Sequence, residues 1–333
     1  MKKRQLLTVL CLCAMVSFSG TAFAQDVDVP DVSNKIYDGG SVTGNGGAIL
    51  NTIESTIKNS TFNKNSAQSG GAINNTGTLK IVDTIFDGNE AKKYGGAINN
   101  YKDLDISGNT IFRNNVAKNG AAIGISQGSR QTSNNTIGSG VQFVNNRTTS
   151  HGGAIYLDDA KTSVLNFTIK DNVLFEGNTS SSGLGGAIYS YFRNSANSLE
   201  IGNNAIFQNH TAGKSGGAIY VGGNVSVGEN AKFINNTATG LATRPATPGL
   251  GGAIYIGKAG LTIGKGAEFI SNTASHGGAI YNGADAELTL DQAKFVGNSA
   301  FNDMSVGGAI ALDLKDTMPL TITNSIFEGN SSK

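Results

Sequence analysis

The chain has 333 residues, of which 46 are Gly, 15% are charged and none is Trp. Three of its 25 basic residues and none of its 24 acidic ones lie in residues 1–24, so residues 25–333 carry a net charge of −2. This charge gives no electrostatic support for nucleic-acid binding. The many glycines disfavour helices, while the low charge and 38% hydrophobic content disfavour disorder, so the composition predicts an ordered all-β protein.

The first 24 residues predict a secretory signal peptide. Lys2, Lys3 and Arg4 precede an apolar run, and small residues on either side of Phe23 form a cleavage site that ends at Ala24. Both Cys residues lie in this segment, so the rest of the chain offers no thiol nucleophile, disulfide or Cys-bound metal. We therefore expect export by the Sec route and a secreted, extracellular or outer-membrane surface location.

Residues 25–45 precede the first copy of a repeat. They contain an acidic stretch and the turn-rich segment Asp38-Gly39-Gly40, but no Phe-x-x-Asn unit. An open stack of strands leaves unpaired edges at its first coil, and natural β-proteins cover such edges. We therefore expect residues 25–45 to form an N-terminal cap or half-coil, followed by a repeat domain over residues 46–333.

From residue 46 onward, two motifs alternate along the chain. Gly-Gly-Ala-Ile occurs ten times, once as Gly-Ala-Ala-Ile, at intervals of 24 to 35 residues. Its copies begin at Gly46, Gly70, Gly95, Gly120, Gly152, Gly185, Gly216, Gly251, Gly277 and Gly307. A Phe-x-x-Asn motif follows each copy, and His210 replaces the Asn once. Self-similarity at this period is the signature of a stacked repeat protein.

Each unit fits one coil of a parallel β-helix of about ten coils. Short alternating apolar runs, such as Leu79 and Ile81, lie between the two motifs, so a unit offers three short strands separated by turns. Stacking would place Phe and Ile in the core and turn Asn residues in amide ladders. This sequence does not contain the signature residues of leucine-rich repeats, tryptophan–aspartate propellers or calcium-binding nonapeptide rolls.

One position of the repeat is a candidate binding site. If the Ile of Gly-Gly-Ala-Ile points inward, the next residue points outward. That residue is Tyr in five successive coils, namely Tyr156, Tyr189, Tyr220, Tyr255 and Tyr281. An external Tyr ladder is predicted to bind a glycan or a protein. The alternative interpretations are that the stacked rings only cover the sheet, or that they face inward.

The sequence contains only weak candidates for catalytic or metal-binding residues. Asp158 and Asp159 form an adjacent acidic pair, but the pair lies in a loop and the equivalent positions of neighbouring coils are not acidic. His151, His210 and His276 occupy turns, and no nucleotide-binding glycine motif occurs. We therefore predict no catalytic activity, cofactor or metal. A β-helix polysaccharide lyase or glycosidase and a structural surface-matrix component remain the alternatives.

The alternation of Gly-Gly-Ala-Ile with Phe-x-x-Asn over roughly residues 46–330 resembles the repeats of chlamydial polymorphic outer membrane proteins and related autotransporter passengers. The resemblance implies a right-handed β-helix passenger displayed on a Gram-negative surface, acting in adhesion rather than catalysis. Its partners would be host or bacterial surface proteins or glycans. The family's translocator barrel is not recognisable in this sequence, so a separate translocator or capping partner is a further expectation.

Overall fold

The computed structural model of this protein describes residues 25–126, 132–241, 247–302, 305–313 and 319–333. The predicted signal peptide lies outside these residues and stays a prediction. Every regular element in the described ranges is a β-strand, and strands of successive coils pair in parallel. None of the described elements is a helix that could cross a membrane. The predicted parallel β-helix is confirmed.

Four stacks of parallel strands run along the rod, and the sheets are numbered here in the order in which one coil visits them. The first sheet begins at each Gly-Gly-Ala-Ile motif and contains Asp26–Val27, Ile49–Asn51, Ile73–Asn75, Ile98–Asn100, Ile123–Ser126, Ile155–Asp158, Ile188–Tyr191, Ile219–Val221, Ile254–Ile263, Ile280–Asp291 and Ile310–Leu312. The second sheet contains Asp31–Ser33, Ser55–Lys58, Leu79–Val82, Leu104–Ser107, Thr132–Ile137, Val164–Ile169, Ser198–Ile201, Asn224–Val227 and Leu320–Thr323. Two long strands, Ile254–Ile263 and Ile280–Asp291, continue from the first sheet into the second.

The third and fourth sheets lie on either side of the Phe-x-x-Asn turn. The third sheet holds the Phe residues and contains Ile36–Asp38, Thr61–Asn63, Ile85–Asp87, Ile111–Arg113, Gln142–Val144, Leu174–Glu176, Ile206–Gln208, Lys232–Ile234, Glu268–Ile270, Lys294–Val296 and Ile326–Glu328. The fourth sheet contains Ser66–Ala67, Glu90–Ala91, Val116–Ala117, Arg147–Thr148, Thr179–Ser180, Thr211–Ala212, Thr237–Ala238, Thr273–Ala274, Ser299–Ala300 and Ser331–Ser332. The prediction of three strands per coil was wrong, because strands of two residues are too short to show alternation.

Backbone geometry explains the double glycine at the start of each coil. Gly152 has φ +61°, a left-handed conformation that favours Gly. A Cβ on the next residue, Gly153, would lie 1.9 Å from the carbonyl oxygen of Gly186 in the following coil. The first glycine is therefore required by conformation and the second by the close approach of stacked backbones.

The core is a stack of Phe rings enclosed by the inward-facing Ile and Leu residues of the first two sheets. Successive rings lie 4.6 to 5.1 Å apart with interplanar angles of 3° to 7°. Tyr37 begins this stack, 4.8 Å from Phe62. Residues 26–38 thus supply three strands of an additional first coil, and Tyr37 occupies the position of the repeat Phe.

The Asn residues of Phe-x-x-Asn form the expected amide ladder. Asn272 is typical: its Oδ1 accepts hydrogen bonds from the backbone N–H and Nδ2 of Asn236, at 3.0 and 2.9 Å, and its Nδ2 donates to the Phe233 carbonyl at 2.9 Å. These side chains are buried, so the ladder satisfies polar groups that water cannot reach. His210 replaces one member and accepts the Asn178 N–H through Nδ1 at 3.0 Å.

Candidate binding surface

The five predicted Tyr residues lie on the outer face of the first sheet. Tyr255 shows the pattern: Ile254 and Ile256, on either side of it, are 0% exposed and belong to the core, whereas Tyr255 is only partly buried. The Tyr residues pair with one another across neighbouring strands, from Tyr156 through Tyr281. Strand alternation therefore directs them away from the Phe stack.

The Tyr rings stack along the rod. The centroids of consecutive rings from Tyr156 to Tyr255 are 5.1 Å apart, and those of Tyr255 and Tyr281 are 5.6 Å apart. The interplanar angles are 6° to 15°. Stacking covers much of each ring face, and Tyr156 is only 7% exposed. What remains accessible is mainly a row of ring edges and hydroxyl groups.

A sixth Tyr extends the row in a way that the sequence pattern did not reveal. Gly124 pairs with Tyr156 and occupies the Tyr position of its own coil, so it leaves a gap in the row. The Tyr94 ring lies 5.7 Å from that of Tyr156, and a Cβ on Gly124 would lie 3.0 Å from the Tyr94 Cβ. Tyr94 immediately precedes the Gly-Gly pair of its coil, and His151 occupies the same position in a later coil. The ring centroids of His151 and Tyr189 lie 4.8 Å apart.

We call Tyr94, Tyr156, Tyr189, Tyr220, Tyr255 and Tyr281 the aromatic stripe. Burial is the main cause that raises the pKa of each hydroxyl from Tyr156 to Tyr281, and it raises the pKa of Tyr220 to about 12. Burial, assisted by Lys214, lowers the pKa of His151 below its ordinary value. The hydroxyls from Tyr156 to Tyr281 and His151 are therefore neutral at pH 7, so this part of the stripe presents rings and hydroxyls rather than charges.

Glycines line one side of the stripe. Gly222 and Gly257 come two residues after Tyr220 and Tyr255, and each lies against a Tyr ring. A Cβ on Gly257 would lie 3.1 Å from Tyr255 Cε1 and 3.3 Å from the Tyr220 hydroxyl. The missing side chains leave room for the Tyr rings to lie against the backbone.

The Asp158–Asp159 pair is used in holding this surface together. Asp158 accepts a hydrogen bond from the Tyr156 hydroxyl at 3.0 Å and forms an ion pair with Arg193. Asp159 is 1% exposed and accepts hydrogen bonds from the backbone N–H groups of Arg193 and Asn194. Both carboxylates therefore hold Arg193, Asp158 through its guanidinium and Asp159 through its backbone N–H.

The histidines act as turn and ladder residues, as the sequence predicted. Besides His210, described above, His151 accepts the Leu184 N–H through Nδ1 at 3.1 Å, and His276 accepts the Val306 N–H at 3.3 Å. In the part of the chain that the structure describes, no three His, Cys, Asp or Glu side chains are grouped to hold a metal ion.

Comparison with protein families identifies the repeat. The Chlamydia polymorphic membrane protein repeat matches residues 83–101, 140–158 and 172–191. Each match begins just before a Phe-x-x-Asn motif and ends after the next Gly-Gly-Ala-Ile, so it links the third sheet to the first. Comparison with curated proteins and with solved structures finds no significant match. The chain therefore contains three segments that are similar to the Chlamydia polymorphic membrane protein repeat, which agrees with the resemblance of the two alternating motifs.

Proposed function

We propose that the chain is an adhesin-like passenger domain, secreted or held at the cell surface, that binds a glycan or protein of a host or neighbouring cell. The aromatic stripe is the contact surface, and the protein acts by binding rather than catalysis. The observation that supports this proposal is the continuity of the stripe, since six Tyr residues line one face of the rod.

The physical properties of the stripe favour recognition. Tyr offers an apolar ring and a polar hydroxyl, and it loses little conformational entropy on binding because it has two side-chain torsions. Stacking against neighbours at 5.1 to 5.6 Å reduces that loss further because the rings are held before a ligand arrives. A row of ring edges alternating with hydroxyls suits a ligand that has both apolar faces and hydrogen-bonding groups, as sugars do.

A binding experiment tests the proposal. The purified full-length protein is applied to glycan and extracellular-matrix arrays, and affinity for the best ligand is measured beside a Tyr220→Ser, Tyr255→Ser and Tyr281→Ser triple variant. We expect saturable binding that weakens at least about tenfold in the variant, since each aromatic contact contributes roughly 0.5–1.5 kcal/mol.

Tyr101→Ser is a control for the loss of a Tyr side chain elsewhere, because Tyr101 lies in a bend outside the stripe. Circular dichroism checks that the triple variant keeps its β-structure. Unchanged affinity in a folded triple variant would contradict the proposal and favour a structural role, in which the stacked rings only cover the sheet. That second role is supported by the low exposure of Tyr156, at 7%.

A further inference from the structure

A cavity of about 300 Å³ opens beside the aromatic stripe. Its lining includes Tyr191, Arg193, Gly222 and Lys258. Tyr191 comes two residues after Tyr189 in the same strand, and the two rings lie 6.3 Å apart. The cavity therefore adjoins the stripe, and a chain-like ligand lying along the Tyr rings would pass its entrance.

Two basic side chains reach this cavity. The side chain of Arg193 is 46% exposed, and Lys258 is exposed. Among the described residues that line the cavity, none is acidic. Arg193 has one ion-pair partner, Asp158, which lies on the neighbouring strand rather than in the cavity wall. The cavity is therefore lined by two basic side chains, of which Arg193 is paired with Asp158 and Lys258 is exposed.

The loop that carries Arg193 is held in place by a buried carboxylate. Asp159 accepts hydrogen bonds from the Arg193 N–H at 2.5 Å and from Asn197 Nδ2 at 2.5 Å. The guanidinium also lies 5.1 Å from the centroid of the Tyr191 ring, within the range of a cation–π contact. Both contacts order Arg193 before a ligand binds, so little conformational entropy is lost on binding.

Glycines keep the cavity open. A Cβ on Gly222 would lie 2.5 Å from Tyr191 Cδ2, and a Cβ on Gly223 would lie 2.8 Å from the Phe192 Cβ. Larger residues at either position would push the aromatic side chains into the space that is now empty. The ring of Tyr191, the glycine backbone and the two basic groups thus form a walled, basic pocket.

We propose that this cavity is the subsite for a carboxylate-bearing sugar, a uronic acid unit of a glycan whose neighbouring units lie along the aromatic stripe. The ring of Tyr191 packs against the sugar, while Arg193 and Lys258 donate charge-assisted hydrogen bonds to its carboxylate. This proposal rests on the proposed function of the stripe and specifies the class of glycan that it takes.

The test uses two probes, one with free carboxylates and one in which methyl groups remove their charge. Isothermal titration calorimetry compares a galacturonic acid tetrasaccharide with its methyl ester, using the purified full-length protein. We expect the acid to bind roughly fivefold tighter or more, since a charge-assisted hydrogen bond is stronger than a neutral one. Arg193→Gln and Lys258→Gln are each expected to reduce this preference severalfold.

Lys294→Gln is the control, because Lys294 is an exposed lysine of the third sheet and its loss changes the net charge by the same amount. Lys258→Gln leaves the ion pair of Arg193 intact, so it tests the pocket even where Arg193→Gln disturbs the loop. Equal affinity for both probes that is lost in the Tyr triple variant would overturn the uronic acid subsite. The proposal that the aromatic stripe binds a glycan would still hold. A preference for the acid that survives in Lys258→Gln would also overturn the uronic acid subsite, and failure of both probes to bind would count against the subsite and the stripe together.

Discussion

Replacement of Phe175 by Ala is expected to lower the free energy of unfolding by about 3–5 kcal/mol, the usual cost of truncating a buried Phe. Phe175 is 0% exposed, and its ring lies 4.6 Å from that of Phe143 and 4.7 Å from that of Phe207. The truncation leaves a gap in a continuous stack. Backbones of neighbouring coils cannot move together to close it, because the parallel ladders on either side hold their spacing.

Urea unfolding followed by circular dichroism measures this loss. The control is Leu174→Ala, because Leu174 precedes Phe175 in the same strand and faces outward. We expect the control to cost roughly 1 kcal/mol or less. Equal losses in the two variants would mean that the Phe stack does not dominate the stability of the rod.

Acidification is expected to destabilise the protein through His210, and His210→Asn is expected to remove this effect. His210 is 0% exposed, and burial is the main cause that lowers its pKa to about 3, with smaller opposing contributions from the Asn178 and Phe175 backbones. The unfolded chain, with the ordinary pKa of 6.5, therefore binds a proton that the folded chain does not. Stability contributed by the neutral imidazole is full above pH 6.5 and is lost as pH falls from 6.5 toward 3.

The measurement compares wild type with His210→Asn in urea at pH 7.5 and pH 4.5. Because one pKa unit corresponds to about 1.4 kcal/mol, the variant should gain roughly 2–3 kcal/mol over wild type at the lower pH. Other titrating groups are common to both proteins and cancel in this difference. Asn236→His places a second His one coil further along the ladder. It should make the free energy of unfolding fall more steeply as the pH is lowered. If wild type and His210→Asn differed in free energy of unfolding by the same amount at both pH values, His210 would be accessible to protons in the folded state.

Much of the fold could be predicted because each coil repeats the same local requirements. Gly152 needs a left-handed φ and Gly153 needs to lack a side chain, so the motif is visible wherever a coil begins. The sequence predicted only a cap or half-coil for residues 25–45, because Tyr37 replaces Phe and Gly40 replaces the ladder Asn. The Tyr37 hydroxyl is accommodated by a hydrogen bond to Asp26 at 2.8 Å, a contact that no repeat pattern predicts.

The candidate surface was predicted only in part. The five Tyr residues follow from the repeat, and alternation within a strand predicts that they face outward. Tyr94 was missed because it fills a gap left by Gly124 on the following coil, rather than the Tyr position of its own coil. Arg193 and Lys258 were missed because neither belongs to the Gly-Gly-Ala-Ile or the Phe-x-x-Asn motif.

By itself, the sequence determined the stacking of like residues, since a motif that recurs once per coil must form a ladder when strands pair in parallel. It thereby determined the Phe core, the Asn ladder and the row of Tyr residues. Only the tertiary structure decided which side chains of different coils meet beside those ladders. The physical reason is that loops of unequal length return to the same strand spacing, so the distance in sequence between Asp159 and Asn197 carries no information about their hydrogen bond.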